Sequence, residues 1–464
     1  MNIGKVYLIG AGPGDADLIS VRGSAILGQA DVVIHDYLVD TGMLKYVRDS
    51  AEIISVKEYD KSNRVGHLEK QRRIDKMMVR RAKEGKLVVR LKSGDPFMFG
   101  RAVEEMRVLL DNNIEYAVVP GISAANAASC FTGIPLTSRG IASSLAIVTG
   151  HKMSKQNKLE IDWKSIAGLD TIVLYMAVET LPCIQKELLN NGKMPDTPVA
   201  VISKASKVDQ RLVKGKLSDI VELVRREKIQ APAIFIIGRV VNLESTFNWY
   251  RKSEKILFTG LSEPRFAYKG NIFHCPLIKI KPLRDYSKMH SLFKRLDEFN
   301  WIFFSSRYGV QYFFRELLSS GLDCRALNSL KIAAIGTSTA KKLKEYGMLP
   351  DLIPKVESAK GLLNAFRKYA KGVRLRVLLP RSDIGEKGLT SGLKKLGVNV
   401  TVCPVYHNVM QEDYPGLAPV LFDKIIFTSP STVRSYFKKY KLVPKGTKIE
   451  TIGTVTKKEL TKFI

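Results

Sequence analysis

At 464 residues the chain has room for two to four domains of roughly 100–200 residues each. Its 45% apolar and 26% charged content is that of a folded globular protein and excludes a disordered chain. No stretch approaches the 18 or so uninterrupted apolar residues of a membrane-spanning helix. The net charge of +29 is unevenly placed: residues 1–250 carry 35 Lys+Arg against 28 Asp+Glu, residues 251–464 carry 39 against 17. A second half at +22 reads as a separate domain that meets something anionic, nucleic acid or a small polyanionic metabolite, unless the source proteome is basic throughout. No aromatic-rich basic groove or RNP-like motif favours nucleic acid.

The opening MNIGKVYLIG enters a strand directly, with no signal peptide, so a cytoplasmic location is expected. Cys130, Cys183, Cys275, Cys324 and Cys403 are far apart, without a CxxC pair or a His at ligand spacing. They read as buried thiols, with neither a structural disulfide nor a metal site expected.

Apolar runs and helical periods alternate through the first half. Lys5–Ile9 is predicted as a strand, Asp17–Leu27 as a helix, Val32–His35 as a strand, Ile74–Glu84 as a helix and Val88–Leu91 as a strand. Ala146–Thr149, Thr171–Met176, Val199–Ser203 and Ala233–Ile237 add four apolar runs, so residues 1–245 read as two α/β lobes. The small-residue stretch 120–135, PGISAANAASCFTGIP, suits the packed junction between them. A charged stretch at 246–255 reads as a linker, and residues 256–464 as the second domain.

That domain contains an internal repeat. IFFSSRYGVQYFF at 302–314 matches IIFTSPSTVRSYF at 425–437, and KIAAIGTSTAKKL at 331–343 matches KIETIGTVTKKEL at 448–460. Each copy reads as strand, Ser/Thr turn, helix, with the hydroxyl placed to cap the helix. Two similar α/β lobes facing one cleft are expected. Their turns, at Ser305, Ser306, Thr337, Ser338, Thr428, Ser429, Ser431 and Thr454, could hold carboxylates or serve only as N-caps.

Two loops carry the chemistry of the first half. GAGPGD at 10–15 resembles a dinucleotide fingerprint, but Asp15 stands where the third Gly belongs and Pro13 has no N–H to offer a pyrophosphate. NAD stays a weaker alternative to a cofactor without phosphates, such as S-adenosylmethionine. VVRLKSGDPFMFGR at 88–101 breaks a buried strand into a Gly-Asp-Pro turn with apolar residues behind it, either a pocket wall or a buried loop.

GAGPGD, ADVVIHDYLVD at 30–40, VVRLKSGDPFMFGR, VVPGISAANAA at 118–128, GIPLTSRGIASSLAIVTGH at 133–151, LYMAV at 174–178 and PDTPVAVISKAS at 195–206 follow the order seen in uroporphyrinogen-III C-methyltransferases. This resemblance covers residues 3–245. The second half, with paired FxSxxxV and IGxxT motifs and Val405-Tyr406, resembles uroporphyrinogen-III synthase. The resemblances imply a two-lobed tetrapyrrole methylase fold followed by a two-lobed, internally duplicated α/β synthase domain. They imply two consecutive activities: cyclisation of hydroxymethylbilane to uroporphyrinogen III, and its double methylation from S-adenosyl-L-methionine to precorrin-2, for sirohaem or cobamide. A binding-only synthase half and a basic nucleic-acid-binding protein are the alternatives.

By resemblance, Asp36 stands at the catalytic base position, though an acid there also suits a strand end or a ribose. Lys57 falls near the catalytic lysine, with VKEYDKSNRVGH where the family has Gly-Lys-Arg. Pro13, Ser93, Gly94, Asp95, Met98, Ser123, Ala124, Met176 and Ala205 map to cofactor positions. Ser93 and Ala205 replace family glycines, and Met176 also suits a core. Arg101 could meet a substrate carboxylate or pair with Glu104 or Glu105. Tyr406 matches a cleft tyrosine, or fills an edge strand. The family continues for about one further helix and strand beyond KKELTKFI, so a shortened synthase is expected. A homodimer through the methylase half, no membrane and no nucleic-acid partner complete the expectations.

Overall fold

The computed structural model describes residues 4–56, 67–150, 161–262, 269–385, 387–411 and 418–464. Lys57 lies outside the described residues.

The first lobe is a five-stranded sheet of β1 (Val6–Gly10), β2 (Val32–His35), β3 (Glu52–Ser55), β4 (Val88–Lys92) and β5 (Tyr116–Val119), in the order β3-β2-β4-β1-β5. All its pairings are parallel. Parallel strands covered by helices on both faces are buried throughout, as β2 and β4 are. The second lobe is a five-stranded sheet of β6 (Leu145–Thr149), β7 (Thr171–Tyr175), β8 (Pro198–Ser203), β9 (Arg211–Lys216) and β10 (Ala233–Ile237), in the order β6-β7-β10-β8-β9. Here β10 runs antiparallel to both β7 and β8. The helix Ala124–Thr132 joins the lobes: Ala125, Ala127 and Ala128 are buried against Val173 and Tyr175 of the second sheet.

Several elements depart from expectation. The helix expected over Asp17–Leu27 splits into a 3-10 turn at Ala16–Leu18 and a helix at Val21–Leu27. The Ser20 hydroxyl accepts from the Gly23 N–H and starts the helix there, as a hydroxyl in that position does. The helix expected from Ile74 begins at His67. Cys275 and Cys403 are buried thiols, raised by burial to about 12, whereas Cys130 and Cys183 are exposed. Cys324 is partly buried, so the expected burial fails at three of the five: spacing along the chain does not set which way a side chain faces.

Residues 246–255 carry the short helix Trp249–Lys252. Tyr250 is 3% exposed, its ring 5.2 Å from that of Phe131, and its hydroxyl donates to the Lys207 carbonyl at 2.7 Å. The stretch is thereby fastened to the first half.

The second half forms two sheets. β11 (Lys255–Phe258) and β12 (Asn271–His274) begin one; β13 (Ile278–Lys281), β14 (Trp301–Phe304), β15 (Lys331–Ala334), β16 (Arg376–Ser382) and β17 (Asn399–Met410) form the other. The chain then returns with β18 (Lys424–Phe427) and β19 (Lys448–Thr451) to complete the first, in the order β12-β11-β18-β19. The repeat is visible in the pairing: β14 lies parallel to β15 and β18 parallel to β19, each first strand feeding a helix through a Ser/Thr turn.

Candidate active site

The C-terminal ends of β1, β4 and β5 meet through glycine. A Cβ on Gly10 would lie 2.5 Å from the Gly121 amide, and one on Gly121 would lie 2.3 Å from the Gly94 carbonyl. Only glycine permits that approach. Gly94 (φ +68°) is itself knitted to Gly12, donating to its carbonyl at 2.8 Å and accepting from its N–H at 3.1 Å. Its backbone therefore serves the loop–loop contact. Asp95 clamps the same junction, accepting from the Phe97 N–H at 2.9 Å and the Gly121 N–H at 3.0 Å.

Above this junction opens a cavity of about 1570 Å³. Pro13, Asp36, Ser93, Gly94, Asp95, Met98, Arg101, Ser123, Ala124, Met176 and Ala205 all line it. Met176 is half-exposed at its rim and is not a core residue. Eight non-glycine residues among those described have positive φ, and five of them, Phe99, Arg101, Met176, Lys204 and Ser206, face this cavity. Such conformations cost energy and concentrate where a site imposes them.

The charge chemistry centres on β4. Arg90 and Lys92 are inside, their side chains 3% exposed, and both reach the fully buried Glu105 carboxylate, at 2.9 and 2.7 Å. Arg90 also pairs with Asp36, whose second oxygen accepts from the Ser93 N–H at 3.3 Å. Burial alone would push the Asp36 carboxyl up, but the positive charges of Arg90 and Lys92 outweigh it and hold Asp36 below its usual range. Burial and the neighbouring Arg90 lower Lys92. Arg101 donates to Glu104 at 3.1 Å, while Glu105 is taken from beneath by β4. Tyr175 reaches the cavity floor and its hydroxyl accepts from the Ala125 N–H at 2.8 Å.

Sequence reading missed Arg90, Lys92, Glu105 and Tyr175. Two cations inside the otherwise apolar VVRLK were the signal for the first three. The Asp15 N–H, where a pyrophosphate would bind in a dinucleotide fold, already donates to the Ser206 hydroxyl at 3.1 Å.

In the second half, Ser306 caps the helix Arg307–Ser319 and its hydroxyl lies 3.0 Å from that of Tyr406. Tyr406 is 6% exposed, between the rings of Tyr308 and Tyr312. Burial raises its phenol, with hydrogen bonds to Ser306 and Ser382 opposing. Ser305, Thr428, Ser429 and Ser431 are half-buried, and Ser429 forms a capping box with Thr432. Asn408 donates to Ser431 at 3.3 Å and Arg307 to Ser262, so both bonds cross from one lobe to the other.

Thr337, Ser338 and Thr454 are exposed. The helix that begins at Thr337 already holds a carboxylate of this chain, the Thr337 N–H donating to Glu357 at 3.0 Å, where a substrate carboxylate was expected. Among the described residues no group of three or more His, Cys, Asp or Glu could hold a metal, and no helix is long and apolar enough to cross a membrane.

The sequence profile of the Tetrapyrrole (Corrin/Porphyrin) Methylases matches residues 5–221, and that of Uroporphyrinogen-III synthase HemD matches residues 266–463. The chain is 33% identical over 461 residues to the porphyrin biosynthesis protein HemD of Ruminiclostridium josui, covering 96% of this chain and 90% of that one. The chain belongs to these two families, one in each half. The methylase half is 42% identical over 243 residues to the S-adenosyl-L-methionine-dependent uroporphyrinogen III methyltransferase of Methanosarcina barkeri, across 52% of this chain and 94% of that protein. A crystal structure of uroporphyrin-III C-methyltransferase from Thermus thermophilus with S-adenyl homocysteine is 34% identical, covering 52% of this chain and all of that one at a TM-score of 0.44. The chain spans about half the length of the bacterial sirohaem synthases it matches.

Proposed function

We propose that residues 256–464 cyclise hydroxymethylbilane to uroporphyrinogen III, and that residues 1–245 methylate it twice from S-adenosyl-L-methionine to precorrin-2, for sirohaem or cobamide. Residues 246–255 join the two enzymes. The observation that carries the methylase reading is the single cavity that gathers Asp36 and the cofactor-position residues.

The site suits a cofactor without phosphates. The amide a pyrophosphate would need is occupied, and the wall carboxylates of Asp17, Asp36 and Asp40 are paired with Lys45, Arg90 and Lys207, so the lining carries both charges in balance. Pro13, Ser93, Gly94, Asp95, Met98, Ser123, Ala124, Met176 and Ala205 would hold S-adenosyl-L-methionine, which supplies a methyl group activated by a positively charged sulfur. Met98 and Tyr175 exclude water from one side, and Arg101 at the rim can turn from Glu104 to a substrate carboxylate.

Asp36 stays ionised at neutral pH. As a pyrrole carbon attacks, the ring becomes cationic, and a fixed carboxylate stabilises that charge. The cationic ring is acidic enough to give its proton to a carboxylate as weak as Asp36.

In the synthase half, the half-buried turns of the two lobes hold the substrate's carboxylates, while Tyr406, kept protonated by burial, donates towards the departing hydroxyl. Lys57 is the methylase's catalytic lysine by resemblance. The enzyme works in the cytoplasm as a homodimer through the methylase half, where Val103 and Leu110 are exposed on the helix Ala102–Asp111, and it has no nucleic-acid partner.

The test is incubation with hydroxymethylbilane and S-adenosyl-L-methionine, followed by mass spectrometry and isomer analysis. Absence of methylated tetrapyrrole from added uroporphyrinogen III refutes the methylase; type I isomer alone from hydroxymethylbilane refutes the synthase.

A further inference from the structure

The methylase cavity is not closed by the methylase alone. Ile272, Phe273 and His274 of β12, with Ala418 and Leu421, form part of its wall, and all five belong to the synthase half. The seam beside them is packed. Val208 of the methylase is 5% exposed within one cluster with Leu257, Cys275, Leu277 and Phe422 of the synthase. Lys255 donates to the Val208 carbonyl at 3.3 Å, and Lys279 pairs with Asp49 of the methylase at 3.1 Å.

β12 is the edge strand of its sheet, so one side is free to face the cavity. Its C-terminal end points at the synthase cleft: the His274 ring nitrogen Nε2 bonds the Gly260 carbonyl at 2.7 Å, and a Cβ on Gly260 would lie 2.6 Å from Thr428. Two residues on, Ser262 receives the bond from Arg307 of the opposite lobe. His274 therefore stands with the methylase cavity on one side and the meeting point of the synthase lobes on the other. The cavity also exceeds the roughly 300–1,000 Å³ of a site for one drug-sized ligand, leaving room for a macrocycle beside a cofactor.

We propose that uroporphyrinogen III passes directly from the synthase cleft to the methylase cavity past His274, without mixing with the bulk pool. This rests on the two activities assigned above. A product released beside a wall shared by both sites can reach the second before it escapes to the bulk.

The test uses the full chain with unlabelled hydroxymethylbilane, S-adenosyl-L-methionine and a roughly tenfold molar excess of ¹³C-labelled uroporphyrinogen III, with early methylated product analysed by mass spectrometry. Direct passage gives mainly unlabelled product. Labelled product in proportion to the pool overturns the proposal while leaving both activities standing, and absence of any methylated product would instead overturn the function itself. In His274→Trp, which narrows the route, the labelled fraction should rise towards the pool value. The readout is a ratio, so slower turnover does not obscure it. A labelled fraction unchanged from the parent protein overturns the route past His274.

Discussion

The Asp36 carboxylate is defined by side chains distant in sequence. Arg90 lies on another strand, and Arg90 is itself held by Glu105 on the helix that follows the Gly-Asp-Pro turn. Glu105→Gln leaves the buried Lys92 without its ion pair and Arg90 with Asp36 alone, and about 3–5 kcal/mol of stability should be lost, read as a fall in the urea midpoint. Asp36→Ala should slow methyl transfer while uroporphyrinogen III synthesis continues, and unchanged methylation would refute its role. The pH dependence follows from the sign of the shift. Asp36 is depressed in the folded protein, so its contribution to stability is present above the ordinary carboxylate pKa of about 3.9 and is lost only as pH falls through the lower folded value. Methylase kcat/KM should therefore show no acidic limb from Asp36 between about pH 5 and 8. In the sequence Asp36 was legible through its motif, but its ion pair was not, because burial of Arg90 depends on helices covering both faces of β4.

At the scale of elements, the repeated strand, turn and helix of the synthase half was readable because each copy carries its own local signals: an apolar run, then a Ser/Thr turn. The hydroxyls of Ser306 and Ser429 cap their helices as expected, whereas Gly336 and Gly453 stand at the N-caps of the helices that begin at Thr337 and Thr454, with no side-chain cap. Ser429→Ala should cost about 1 kcal/mol through loss of the cap, measured by urea unfolding. Tyr406→Phe should retain the fold, at a cost of about 0.5–1.5 kcal/mol for the bond to Ser306, and lower the rate of cyclisation in a uroporphyrinogen III assay. Other elements were not legible. β9, RLVKGK, is an edge strand with most positions at least partly exposed, so its composition resembles a charged loop. The turn at Thr337 reads in sequence like its copies, yet Glu357 occupies it from a separate segment.

For the whole molecule, the +22 balance of residues 251–464 is the quantity that acts at long range. Screening shortens its reach to about 10 Å at 0.1 M salt, so KM for hydroxymethylbilane should rise with ionic strength in steady-state assays, with a smaller rise for the methylase step from added uroporphyrinogen III. The packed seam at Val208 and the synthase residues in the methylase wall make the two halves one structural unit around that cavity.

The sequence by itself determined the α/β class, the division into two enzyme families and the loops that gather at the cavity of the first half. The α/β class depends on short-range periodicity and turn chemistry, which each segment carries alone, and the two families on the resemblance of ordered motifs. Only the tertiary structure decided which charges the interior holds and what completes the site. The pairing of Arg90 with Asp36, the blocking of one synthase turn by Glu357 and the synthase wall on the methylase cavity all join residues far apart in the chain. Such contacts arise from packing, which brings buried charges to their partners and closes a pocket with whatever surface lies against it.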